Sequence, residues 1–256
     1  MQFLSRHLKR LCTTLVLSGP LGFGAVHAEP AYEPMLDYHP TSIFAQVGQP
    51  VGRLRTLTSF GRSGCTAFLI SPTHLMTNEH CIGDRHWDHK TKTWLPRTVQ
   101  SVKVEMGAVD PNDNQRIDTY SVQMPPLEMN EALDYAILNV TGNPADKYGY
   151  LAISTAKPAF KMPLWIIGHP KLKVQQISRL HCRVIQHARP HKHRLHHTCP
   201  TAGGNSGSPV FDASTHEVIA INHARYSAEV RDVGLAVPFH IIAAQSPLLR
   251  AIIGNQ

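Results

Sequence analysis

The stretch "TCPTAGGNSGSPVFD", residues 198–212, sets Gly203, Gly204 and Gly207 around Ser206 and then returns at once to strand-forming residues. Such a run is either a pliable turn that happens to carry serines or a backbone shaped around one nucleophile. Glycine permits conformations that a Cβ blocks. In the second case the N–H groups of Gly204 and Ser206 could converge on one developing oxyanion, and such donors are typically worth about 3 kcal/mol or more. A serine hydroxyl is a poor nucleophile unless a base takes its proton and a carboxylate orients that base. The choice therefore turns on whether the chain supplies a suitable His and Asp.

"GCTAFLISPTHLMTNEHCIG" (64–83) supplies the His: two strand-like runs lead to His80, with Cys81 directly after it. Other histidines, including His74, His86 and His89, lack such a context. "EALDYAILNV" (131–140) supplies the carboxylate. An Asp opening an apolar run is costly unless its charge is hydrogen-bonded, and an imidazole N–H is a fitting partner for Asp134. The bland reading of Asp134 is a strand-end turn cap. The α/β-hydrolase elbow G-x-S-x-G does not fit, because Ser208 stands where the last glycine should be.

The first 28 of the 256 residues read as an export signal. Arg6, Lys9 and Arg10 precede a mostly apolar run, and Val26-His27-Ala28 offers a cleavage site. Pro20, Gly22 and Gly24 interrupt that run, which argues against a membrane anchor. Secretion or delivery to the periplasm, with no stable membrane insertion, is the expectation. Removing the signal leaves four cysteines, an even number suited to disulfides, with three possible connectivities. The pairing adopted is Cys65–Cys81 and Cys182–Cys199, each closing a loop of similar length. The formal charge of +7 falls by the signal's three basic residues. The remainder is too weak and scattered to imply nucleic acid.

Short β-like runs bounded by Pro, Gly, Asn or Asp dominate the rest, among them "SVKVEM" (101–106), "PLWIIG" (163–168) and "EVIAIN" (217–222). They predict an all-β antiparallel barrel or sandwich. "HIIAAQSPLLRAIIG" (240–254) has helical spacing, with Ser246-Pro247 as cap and first residue of a C-terminal helix. The Pro-rich residues 29–40 are expected to be irregular.

"TNEHC", "LDYAIL" and "GGNSGSPVF", in that order, resemble the His, Asp and Ser segments of chymotrypsin-fold serine peptidases, most closely the bacterial secreted branch with the glutamyl endopeptidases. The resemblance spans about residues 50–240. It implies two antiparallel Greek-key β-barrels with the active site in the cleft between them, here assigned to 49–146 and 147–256, after an extension or short prosegment at 29–48. It implies His80 as base, Asp134 as its orienting partner, Ser206 as nucleophile, and Cys65–Cys81 beside the catalytic His. Protein or peptide substrates, a monomer, and no metal or organic cofactor are expected.

Two departures bear on regulation and specificity. Animal digestive members carry an Asp before the nucleophile that pairs with a new N-terminal amine; Asn205 cannot. Pro200 stands where trypsin-like members hold an Asp, so trypsin specificity is not expected. Thr201 matches a Thr of the glutamyl endopeptidases, but where they place a pocket His this chain has Asn222, with His223 adjacent. The Thr201 match raises a preference for acidic residues before the scissile bond, which Asn222 counts against; Pro200, Thr201, Asn222 and His223 are the expected substrate pocket. "HCRVIQHARPHKHRLHHTC" (181–199) holds six histidines. His191, His193 and His197 have ligand-like spacing, but a disulfide-closed loop of solvated histidines is the preferred reading. The competing functions are a silent peptidase-fold binding protein and a triad hydrolase acting mainly on esters.

Overall fold

The computed structural model describes residues 32–256 apart from 89, 187–190 and 226–232. The proposed signal at 1–28 lies outside the described residues. Ten strands precede residue 140: β1 (Glu33–Pro34), β2 (Val51–Thr58), β3 (Gly61–Leu69), β4 (His74–Thr77), β5 (Arg85–Asp88), β6 (Thr93–Pro96), β7 (Val99–Met106), β8 (Asp118–Val122), β9 (Glu128–Asn130) and β10 (Tyr135–Asn139). Seven follow: β11 (Leu164–Gly168), β12 (Gln176–Ser178), β13 (Val184–Ile185), β14 (Leu195–His197), β15 (Pro209–Asp212), β16 (Val218–Arg225) and β17 (Gly234–Pro238).

They form two curled antiparallel sheets. One has the order β8-β7-β2-β3-β4-β10-β9; the other runs β1-β12-β11-β15-β16-β17-β14-β13, and β5 pairs with β6 as a separate hairpin. Each sheet bends until distant strands meet again. In the first, Val122 bridges Val140, and in the second Pro163 bridges Arg183.

The apolar runs are continuous because both of their faces are buried. In β10, Ala136 and Leu138 enter a core inside the first sheet with Leu54, Leu69, Val104 and Met106. Tyr135 and Ile137 point the other way, into a core shared with Trp165, Phe211, Ile221 and Phe239 of the second half. β11 alternates likewise: Leu164 and Ile166 fill the interior of the second sheet, and Trp165 and Ile167 join the shared core. Period-two alternation thus divides each strand between two cores.

The expectation of one short helix at the C-terminus is corrected. Five α-helices occur among the described residues: α1 (Ile43–Gly48), α2 (Glu79–Ile82), α3 (Ala145–Tyr148), α4 (Phe239–Gln245) and α5 (Pro247–Ile253). The stretch 240–254 divides at Ser246, whose hydroxyl accepts from Leu249 N at 2.9 Å and caps α5. The segment 29–40 is not wholly irregular either, since β1 adds to the edge of β12 and Met35 is buried in the shared core.

Candidate active site

His80 sits on α2, a single turn held at both ends. Cys81 is disulfide-bonded to Cys65 on β3, and Arg97 donates to the carbonyls of Gly83 and His80 at 2.8 and 3.2 Å. Asn78 precedes the turn but does not cap it with its side chain. Its amide instead donates to the Asp134 carbonyl at 2.7 Å. Asp134 itself lies just before β10 with φ at +53°, a left-handed conformation that Asp tolerates better than most residues.

The carboxylate of Asp134 grips His80 twice. Oδ1 accepts from the His80 backbone N–H at 2.9 Å, and Oδ2 accepts from the imidazole Nδ1 at 2.7 Å. A second imidazole, that of His223, bonds the same Oδ2 through its own Nδ1. His223 stands at a β-bulge, where the register between β16 and β17 shifts between Asn222 and Ala224. Bulges re-aim side chains in this way.

Burial alone would raise the pKa of Asp134, but the bonds from His223 and His80 outweigh it and hold the carboxyl far below its usual range. For His80, burial pulls downward. The bond and charge of Asp134, with Glu79 assisting and Arg97 opposing, leave the imidazole pKa raised.

Ser206 lies in a loop stitched to β3 by one buried residue. Thr66 N donates to the Ser206 carbonyl and Thr66 Oγ1 to the Gly204 carbonyl, both at 2.8 Å. Asn222 fastens the other side, its amide donating to the Asn205 carbonyl at 2.7 Å. Gly204 has φ at +98°, and a Cβ there would lie 2.4 Å from the His169 carbonyl oxygen. Gly207, with φ at +81°, also faces inward: a Cβ would lie 2.2 Å from the Thr66 carbonyl oxygen.

A cavity of about 650 Å³ gathers His80, Asp134 and Ser206 on one surface, with Thr201, Asn222 and His223 of the expected pocket. Pro200 does not line it; its carbonyl accepts from Ser178 Oγ behind the wall. Ser206 Oγ donates to the His223 carbonyl at 3.4 Å, and among the described residues no hydrogen bond joins it to His80. The second disulfide, Cys182–Cys199, is formed. Among the described residues His191, His193 and His197 do not converge as a ligand set. His197 is fully buried, which pushes its pKa down to about 4.

Sequence reasoning missed Thr66, Asn78 and Arg225. Thr66 and Asn78 flank recognised features (Cys65 and the His80 turn) but act on partners far along the chain. Arg225 lines the cavity and donates to the Thr201 carbonyl at 2.9 Å; its position two residues after His223 was the available signal.

Solved structures with a similar fold include three proteases. The Rv3671c protease from M. tuberculosis, in its active form, has a TM-score of 0.62 at 18% identity, covering 87% of this chain and 88% of that one. The HtrA-type protease AlgW with tripeptide has a TM-score of 0.60 at 16% identity, covering 83% and 63%. A Glu endopeptidase in complex with MPD has a TM-score of 0.56 at 19% identity, covering 81% and 89%. Secreted RxLR effector protein 73 of Plasmopara viticola is 25% identical over 182 residues, covering 68% of this chain. The chain spans only 44% of that relative's length. The family model for the trypsin-like peptidase domain matches residues 65–221, from the first disulfide cysteine to Ile221 on β16, two residues short of His223, and this chain belongs to that chymotrypsin-fold serine peptidase family.

Proposed function

We propose that this chain is an exported serine endopeptidase, secreted or periplasmic, in which Ser206 is the nucleophile, His80 the general base and Asp134 the group that orients it. The carrying observation is the double grip of one buried carboxylate on His80, across a cavity that also holds Ser206. The division into halves at 49–146 and 147–256 belongs to the same reading.

With Nδ1 committed to Asp134, His80 presents Nε2 as the free base. Rotation of the Ser206 side chain away from the His223 carbonyl brings its hydroxyl toward that nitrogen. The hydroxyl oxygen attacks the peptide carbonyl carbon as the proton passes to His80. The oxyanion is received by the N–H groups of Gly204 and Ser206, which bond to no backbone acceptor among the described residues. His80 then protonates the leaving amine, the acyl-enzyme forms, and water hydrolyses it through the same base.

The wall formed by Thr201, His223 and Arg225 supports a preference for an acidic side chain before the scissile bond. Arg225 brings a fixed positive charge there, and Thr201 is buried. Protein and peptide substrates fit this reading. Among the described residues no helix is long and apolar enough to cross a membrane.

The test is labelling with a fluorophosphonate probe and digestion of a diverse peptide mixture by wild type and Ser206→Ala. Labelling and cleavage should both be lost in the variant, the latter by on the order of 10⁶. A variant that still cleaves would remove Ser206 from the mechanism. Products with no enrichment of Glu or Asp before the cut would end the acidic preference alone.

A further inference from the structure

We infer that the β5–β6 hairpin gives the cleft an aromatic wall that takes an apolar side chain from a substrate residue next to the scissile bond. This rests on the peptidase reading above and adds a second recognition element to it.

Trp87 and Trp94 are direct cross-strand partners, with ring centroids 5.2 Å apart in an edge-to-face arrangement. Neither is buried in a core, and they remain 36% and 53% exposed. Both line the cavity that holds His80 and Ser206. Alternation along β5 puts Arg85 and Trp87 on the cavity side, while His86 points away and stacks on Phe60 at 4.4 Å.

The wall is held in place. The hairpin opens at Asp84, four residues after His80, and closes there as Arg97 N donates to the Asp84 carbonyl at 2.5 Å. The Arg85 guanidinium lies over the Trp94 ring, 5.2 Å from its centroid, and pairs with Glu131 in the turn that leads to Asp134. Aromatic rings fixed this way offer contact area at small entropic cost.

The hairpin belongs to the His80 side of the cavity, and Thr201, Asn222, His223 and Arg225 come from the second half. A side chain seated against the indoles is therefore a different one from that facing Arg225. Its chemistry is leucine-like or aromatic.

The test uses matched peptides that share one cleavable bond and differ only in Phe, Leu or Ala at each of the two positions on either side of it. Wild type should favour Phe or Leu over Ala about tenfold or more in kcat/KM at one of these positions, leaving aside the residue immediately before the bond. In the Trp87→Ala/Trp94→Ala variant that ratio should fall toward one. A ratio that persists, or an equal loss on all peptides, overturns the wall.

A binding readout separates this from failure of catalysis. Ser206→Ala protein titrated with each Phe peptide of the set should show, for at least one of them, a blue shift of tryptophan emission that its alanine counterpart does not give. The third tryptophan, Trp165, is buried and supplies a constant background. No shift overturns the proposal whether or not wild type cuts peptides; loss of probe labelling alone would instead strike the peptidase reading. Concentration-dependent self-association abolished by the double variant would assign the indoles to a second copy and also overturn it.

Discussion

His80 and His223 present their Nδ1 atoms to the same oxygen, Oδ2 of Asp134, so that one buried carboxylate serves two imidazoles. An ionised carboxylate only accepts, so each Nδ1 must carry the hydrogen. His223 thereby gives the carboxylate a second anchor at Oδ2, and it also draws on charge that would otherwise act on His80 alone.

Replacing His223 with Ala should therefore make His80 more basic. The pKa of His80 already stands above its ordinary 6.5, with burial opposing and Asp134 and Glu79 raising it against Arg97. The acid limb of kcat/KM reports the loss of the neutral base as pH falls. In His223→Ala that limb should move to higher pH by about 0.5–1 unit, the equivalent of one hydrogen bond of roughly 1 kcal/mol. A limb that stays in place, or moves to lower pH, would reduce His223 to a packing residue.

Much of the candidate site was legible as three short segments, because each carries a residue unusual for its surroundings, and all three line one cavity. Asp134 stands out as a charge entering a run buried on both faces, and Ser206 as a hydroxyl among glycines. The bonds that assemble the segments left no local mark. Thr66 reaches Gly204 across 138 positions, and nothing in its neighbourhood shows that distance. Aligned without a gap, β16 puts Asn222 in the pocket. The bulge at His223 changes which residue does what: Asn222 fastens the Ser206 loop, and His223 turns to Asp134. The helix α2 escaped notice for a related reason. Four residues are too few for a 3.6-residue period to appear, and this turn is held by a disulfide and Arg97.

The same carboxylate predicts how stability depends on pH. Its folded pKa is depressed below the ordinary 3.8. Its contribution is therefore present above that unfolded value and is lost as pH falls toward the folded one. His80 is raised, so its contribution is present below about 6.5 and lost as pH climbs through its folded value. The melting temperature of wild type relative to Asp134→Asn should accordingly differ most between about pH 4 and 6.5, where carboxylate and imidazole both carry charge. The gap should narrow on either side. A difference independent of pH would mean that Asp134 contributes shape and not charge.

Gly204 joins backbone conformation to the proposed oxyanion site. Its φ of +98° is one that side-chain-bearing residues rarely adopt, and a Cβ would press on the His169 carbonyl 2.4 Å away, with Leu172 N and Lys171 N close behind. All three are backbone atoms, so relief requires the loop itself to shift, and with it the N–H groups of Gly204 and Ser206. Gly204→Ala should cost more than about 1 kcal/mol of stability. It should also lower kcat by roughly 10²–10³, the usual penalty for losing one oxyanion donor, with the smaller effect on KM. Gly203→Ala is the comparison, since a Cβ there meets nothing within 4 Å; its melting temperature should match wild type. Unfolding curves and steady-state kinetics on both variants check the pair. If Gly204→Ala keeps full kcat while losing stability, the strained glycine serves the fold and the oxyanion donors lie elsewhere.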